Sequence, residues 1–239
     1  MTQRLTLYTA KVSPYAHRVE LALEETKLEY TRFEIDLRNK PEWYAPLVNP
    51  ACQVPAIAYG GPVVDPSQSS PESEKITESL VLLEFVADLT GKLLPKDPVQ
   101  RAKVRFFIDA VSNTVGPAFV ASVIRGEPVA KIHEAIEKIQ ALLSAEGYAV
   151  GSDFTIADAA LVPFLARLEV ALKNDLGAFE EGTGLKAFEA LSSEPKFARY
   201  RKYIADVKAR DSYKKTFDEE FIHASLSKLS TSRKLAPTS

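Results

Sequence analysis

The hydrophobic rhythm of the chain changes once, close to residue 94. Before that point, short alternating runs take turns with amphipathic stretches. After it, nearly every apolar repeat has helical spacing. Such a chain is confined to a small α/β domain followed by an all-α domain. The expected boundaries are 1–94 for the first, 95–229 for the second and a disordered polar tail over 230–239.

Residues 4–9 read as a first strand and 14–26 as a helix, with Val19, Leu21, Ala22 and Leu23 on its apolar face. Tyr30 to Leu37 alternates and reads as a second strand, which makes a right-handed βαβ unit. A short helix is expected after Trp43-Tyr44, and Pro55 to Tyr59 opens a third strand. Residues 60–75 are rich in Gly, Pro and Ser and are expected to form a mobile insertion. Glu74-Lys75-Ile76 gives a short fourth strand, and Ser79 is expected to cap a helix ending near Gly91. Beyond the linker Leu94-Pro95-Lys96-Asp97-Pro98, helices are expected over 98–125, 128–145, 155–173, 184–191 and 194–210. Thr155-Ile156-Ala157-Asp158 is a capping box heading the most apolar of these, so Asp158 reads as structural and not catalytic.

Several function classes are set aside by composition. The net charge of −2 offers no electrostatic footprint for nucleic acid or an acidic membrane. The single cysteine, Cys52, excludes an internal disulfide, and with three scattered histidines no metal site is expected. The N-terminus lacks an apolar leader, and the apolar stretch Phe154 to Leu172 carries Asp158, Arg167 and Glu169, against a membrane span. A cytoplasmic, reducing location is the expectation.

The chemistry gathers at Thr9-Ala10-Lys11-Val12-Ser13-Pro14-Tyr15, between the first strand and the first helix. Ser13 suits an N-cap and Pro14 the first helical position. Free N–H groups and the positive end of the helix dipole meet there, so a thiolate or another anion is stabilised. His17, one turn on, lacks an evident carboxylate to orient it as a base for Ser13.

The chain resembles a cytosolic glutathione transferase, most closely the Omega class. The resemblance rests on Lys11-Val12-Ser13-Pro14-Tyr15-Ala16-His17-Arg18, Leu37-Arg38-Asn39-Lys40-Pro41-Glu42-Trp43-Tyr44, Asn49-Pro50, Val54-Pro55, Glu78-Ser79 and Leu93-Leu94-Pro95. In the C-terminal part it rests on Thr155-x-x-Asp158, Arg199-Tyr200-Arg201 and Ala209-Arg210-Asp211-Ser212-Tyr213. It implies a thioredoxin-like N-terminal domain and a helical C-terminal domain. It also implies that the Val54 backbone binds the cysteinyl part of glutathione by strand addition, before a cis Pro55. Glu78 and Ser79 would hold the γ-glutamyl end, and Lys40 would approach the glycyl carboxylate. Tyr15 would flank the thiol, and Tyr15 and Phe119 are candidates for the acceptor pocket, expected between the domains.

Two departures matter: Ser13 stands where Omega proteins carry Cys, and residues 60–75 are longer than the usual turn. A hydroxyl cannot form a mixed disulfide; it can donate a hydrogen bond to a bound thiolate and lower its pKa. The resemblance therefore implies a serine-type transferase that conjugates glutathione to small hydrophobic electrophiles, with weak or absent thiol–disulfide activity. Glutathione would be the substrate, with no other cofactor, and the protein a homodimer. The alternatives are a ligandin-like carrier of glutathione and aromatic small molecules, and a scaffold using the fold for protein contacts. Cys52 reads as a passive loop cysteine, with a redox thiol as the alternative.

Overall fold

A computed structural model of the chain describes residues 4–234. The chain divides into two compact units between Leu93 and Leu94.

The first unit holds a four-stranded sheet: β1 (Leu5–Thr9), β2 (Thr31–Glu34), β3 (Ala56–Tyr59) and β4 (Glu74–Thr77). The order is β2-β1-β3-β4; β1 runs parallel to β2 and antiparallel to β3, which is antiparallel to β4. Helix α1 (Pro14–Thr26) crosses between β1 and β2, α2 (Tyr44–Leu47) precedes β3, and α3 (Ser79–Thr90) follows β4. Leu7 and Ile57 stand opposite each other in register and are fully buried. On the other face Tyr8, Ile35, Tyr44, Val48, Ala56 and Ala58 form an apolar cluster, with Phe33 and Trp43 packed against it. Helices α1 and α3 pack on each other.

The segment expected to be a mobile insertion is packed. Asp65 caps a short 3-10 turn (Pro66–Gln68) through the Ser67 N–H at 2.8 Å. Ser69, Ser70 and Ser73 are buried. The Tyr8 hydroxyl donates to the Pro66 carbonyl at 2.7 Å, and Lys75 Nζ donates to the carbonyls of Ser70 and Ser73 at 2.6 and 2.8 Å. A composition poor in apolar residues is ordered here by hydrogen bonds reaching the sheet and by Lys75. Gly61 closes the segment at φ +72°, and an added Cβ would lie 3.0 Å from the Ser73 nitrogen. Gly61→Ala is expected to cost about 1–2 kcal/mol, from the left-handed backbone and this approach. Thermal unfolding checks it: a drop of a few degrees fits a packed segment, and an unchanged midpoint fits a mobile one.

The second unit is helical: α4 (Pro98–Asn113), α5 (Val115–Phe119), α6 (Ala130–Gln140), α7 (Ile156–Lys173), α8 (Thr183–Ser193), α9 (Ala198–Lys208), α10 (Asp211–Thr216) and α11 (Glu219–Lys234). Helix α7 is buried along almost its whole length, and α4, α5, α8, α9 and α11 pack on it. The single helix expected over 98–125 is broken at Thr114 (φ −127°, ψ −71°), and α5 runs into a π-helical turn, Val120–Ile124. The cause is Pro117, which lacks an N–H and clashes with the carbonyl four residues back, where α4 ends. By length and composition Pro98–Ile124 would pass for a membrane span, with 44% of its most apolar window buried.

The tail expectation is corrected in part. Residues 230–234 continue α11 instead of losing structure at Ser230, and 235–239 lie outside the described residues. Ile222 and Leu226, one turn apart and buried, give α11 the apolar stripe that seats it on α7.

The capping box is present and forms part of a larger polar knot. Asp158 Oδ2 accepts from the Thr155 N–H at 2.8 Å and Oδ1 from the Ala149 N–H at 2.8 Å; the Tyr203 hydroxyl also donates to Oδ1, at 2.9 Å. Asp158 is fully buried, and that desolvation raises its carboxyl to about 6.

Candidate active site

The turn after β1 folds as its residues dictate. Ser13 has an extended backbone (φ −76°, ψ 121°), and its Oγ accepts from the Ala16 N–H at 3.2 Å, while Pro14 occupies the first helical position. Ser13 is 7% exposed. A serine hydroxyl can both accept and donate. The start of a thirteen-residue helix lies beside it, so negative charge is favoured at this point.

Across from Ser13 lies the loop before β3. The Val54–Pro55 peptide is cis. Three bonds brace the backbone leading to it. Lys40 Nζ donates to the Cys52 carbonyl at 2.8 Å, and both Tyr44 Oη and Asn49 Nδ2 donate to the Gln53 carbonyl at 2.8 Å. Cys52 sits at φ +55°, packs against the aromatic cluster under the sheet and is half-buried. Its thiol is thus placed as a loop-packing group and does not line the cavity described below.

The third wall is the start of α3. The expected Ser79 cap is corrected here: Glu78 is the N-cap residue and Ser79 is the first residue of the helix. The Ser79 hydroxyl instead accepts from Arg18 Nη1 at 3.1 Å. Glu78 adopts φ +70°, ψ 111°, a conformation that costs a non-glycine residue about 1–3 kcal/mol. Strain of this kind persists where the surroundings enforce it, and here it sits on the rim of the cavity.

Ser13, Tyr15, Lys40, Val54, Pro55, Glu78 and Ser79 line one cavity of about 430 Å³, with Leu37, Asn49 and Gln53. The site residues expected in the first unit are therefore brought together. Phe119, expected in the acceptor pocket, is buried in the helical unit with its ring 6.2 Å from Phe164. Tyr15 is 44% exposed and does not pack on the sheet; the Arg18 guanidinium stands 5.3 Å from its ring centre. His17 is buried. Among the described residues no group of His, Cys, Asp and Glu gathers as a metal site.

Two residues escaped the sequence reading. Gln53 has no motif of its own; its carbonyl is held by Tyr44 and Asn49. Arg18 falls within the first quoted run but is given no role there. It is 3% exposed, and burial pulls its guanidinium down to about 10, still a cation at neutral pH.

Chemically the cavity offers the Val54 backbone just ahead of β3, a hydroxyl at a helix start (Ser13), and a second hydroxyl at another helix start (Ser79). Charged groups of both signs, Lys40 and Glu78, stand at its rim. This set suits an extended peptide carrying a terminal carboxylate, an ammonium and a thiol.

Comparison with known proteins agrees on one family. Residues 12–89 match the model for the glutathione S-transferase N-terminal domain, and residues 128–205 that for the C-terminal domain. A probable glutathione S-transferase of Nicotiana tabacum is 30% identical over 199 residues, covering 79% of this chain and 78% of that protein. The crystal structure of glutathione transferase Omega 1C from Trametes versicolor superposes with a TM-score of 0.92 at 54% identity, over 96% of this chain and 97% of that one. Glutathione transferase Omega 2S of the same fungus, in complex with 2,4-dihydroxybenzophenone, gives 0.89 at 45% identity, over 94% and 98%.

Proposed function

The chain belongs to the glutathione transferase family, and on that premise we propose a serine-type, Omega-like transferase that conjugates glutathione to small hydrophobic electrophiles. The observation that carries this is the convergence of Ser13, Val54, Glu78 and Ser79 on one cavity, with Ser13 at a helix start. Glutathione enters as substrate, and no resident cofactor is invoked. Its cysteinyl backbone pairs with Val54, its γ-glutamyl carboxylate meets Ser79 and the start of α3, and its ammonium faces Glu78. Lys40 serves the glycyl carboxylate from its anchored position on the Cys52 carbonyl.

The thiol then lies by Ser13. The Ser13 hydroxyl and the start of α1 stabilise the thiolate, and the thiol proton goes to solvent. The thiolate attacks the electrophilic carbon, a carbon–sulfur bond forms, and the leaving group departs with the electron pair of the broken bond. Tyr15, half open to solvent beside the thiol, offers a face to an apolar acceptor. On this reading the protein works as a cytoplasmic homodimer.

A second reading is carriage of aromatic molecules, favoured by the benzophenone bound in the fungal Omega 2S relative. Calorimetry with glutathione, an aryl-halide conjugation assay and a thermal-shift screen separate the two. The enzyme reading expects glutathione binding and turnover with the aryl halide. Binding without turnover, together with stabilisation by aromatic ligands, would favour carriage. Ser13→Cys adds a further check. A thiolate at that helix start attacks the sulfur of a disulfide and releases a thiol, forming the mixed disulfide with glutathione. The variant is expected to gain disulfide exchange that the parent lacks.

A further inference from the structure

The strongest unassigned feature of the site is a buried cation directly behind it. Arg18 lies on the side of α1 that packs on α3 and is 3% exposed. Its Nη1 donates to Ser79 Oγ at 3.1 Å, a bond between residues 61 positions apart. Ser79 itself is 8% exposed and lines the cavity.

A guanidinium has only donors. In the Arg18–Ser79 bond the serine oxygen must therefore accept, and its own O–H is directed elsewhere. A serine that could rotate freely would present either a lone pair or a proton to a ligand. Anchored this way, it presents the proton, which is what a carboxylate requires. The bond also brings positive charge within one side chain of the cavity, in surroundings dry enough to pull the Arg18 pKa down to about 10. At low local dielectric such a charge acts strongly on an anion nearby. The start of α3 adds its own backbone N–H groups in the same place.

We propose that Arg18 is a positioning residue for carboxylate recognition: it fixes the Ser79 hydroxyl as a donor and supplies the charge behind it for the γ-glutamyl carboxylate. The role rests on the glutathione reading above. It also gives Tyr15 a second duty, since the Arg18 guanidinium stacks toward its ring. The cation thus links the carboxylate end of the site to the residue beside the thiol.

The test uses two ligands and the full chain. One is glutathione; the other is 4-aminobutanoyl-cysteinyl-glycine, which keeps the amine, the thiol and the glycyl end but lacks the γ-glutamyl carboxylate. Binding of each is measured by calorimetry for the parent, Arg18→Met, Arg18→Lys and Ser79→Ala. Arg18→Met is expected to weaken glutathione by about tenfold or more and to leave the analogue within about twofold. Arg18→Lys, which keeps charge and a donor, is expected to recover most of the loss. In the Ser79→Ala background, removing Arg18 is expected to cost less than in the parent, because the two act through one bond. If Arg18→Met does not fold, Arg18→Gln, which keeps a donor but no charge, takes its place, with a smaller loss that is again selective for glutathione over the analogue. Equal losses for both ligands, or no loss for either, would overturn the role of Arg18 while leaving the glutathione reading intact. A parent that binds neither ligand would overturn the glutathione reading, and the role of Arg18 with it.

Discussion

Ser13→Ala is expected to lower kcat/KM for glutathione conjugation by roughly 10- to 150-fold, the worth of a hydrogen bond to a charged group, about 1.5–3 kcal/mol. The loss follows from position. Ser13 is buried at the start of α1 and lines the cavity beside Tyr15 and Val54. Alanine removes the Ser13 hydroxyl from that helix start, while the helix dipole and the Val54 edge remain. Glutathione binding is therefore expected to fall by much less than turnover. The same change removes the bond from the Ala16 N–H, so stability falls by about 0.5–2 kcal/mol through the lost cap. Ser13→Gly separates the two effects, since glycine caps almost as well as serine and has no hydroxyl. It should be nearly as stable as the parent and as slow as Ser13→Ala. Steady-state kinetics beside thermal unfolding of the three proteins check this. Equal turnover in all three would reduce Ser13 to a cap.

Asp158→Ala carries the largest expected loss of stability, about 3 kcal/mol or more. It strands the N–H groups of Ala149 and Thr155 and the Tyr203 hydroxyl in a fully buried place. For a chain of this size each kcal/mol moves the midpoint by about 2–4 °C, so a drop of roughly 6–12 °C is expected. The site is expected to keep its glutathione affinity wherever the variant is folded, because Asp158 belongs to the helical unit and the cavity to the first. Asp158 also imposes a pH dependence. Desolvation raises its folded pKa to about 6, above the ordinary value near 3.9. Its contribution is therefore whole below about pH 4, falls as pH climbs toward 6 and is flat above. Unfolding midpoints of parent and Asp158→Asn across that window should converge as pH rises. A constant difference would contradict it.

What could be read from the residues depended on which forces order them. The strand, turn and helix around Ser13 were legible because N-cap and N1 chemistry is local, and Thr155 and Asp158 were legible for the same reason. The strands were legible through alternation; β1 and β3 each start one residue late, β2 stops at Glu34 instead of Leu37, and β4 runs on to Thr77. Residues 60–75 were misread because they carry little apolar periodicity. Their order comes from Tyr8, 58 positions before Pro66, and from Lys75 reaching back to Ser70 and Ser73. Helix α11 was missed because its Ser, Thr and Lys residues mask an apolar pair, Ile222 and Leu226, at helical spacing. The break at Thr114 could have been read from Gly116-Pro117. Arg18 could not, because its partner Ser79 lies 61 positions away on a helix packed against its own.

The central claim is that Ser13 lowers the pKa of the bound thiol. The direct measurement is the ultraviolet absorbance of the glutathione thiolate, titrated with pH on saturated parent and Ser13→Ala. The account predicts a midpoint in the parent at least about one pH unit below that of the variant, equivalent to 1.36 kcal/mol of thiolate stabilisation. Coincident midpoints, with both proteins fully bound, would contradict it.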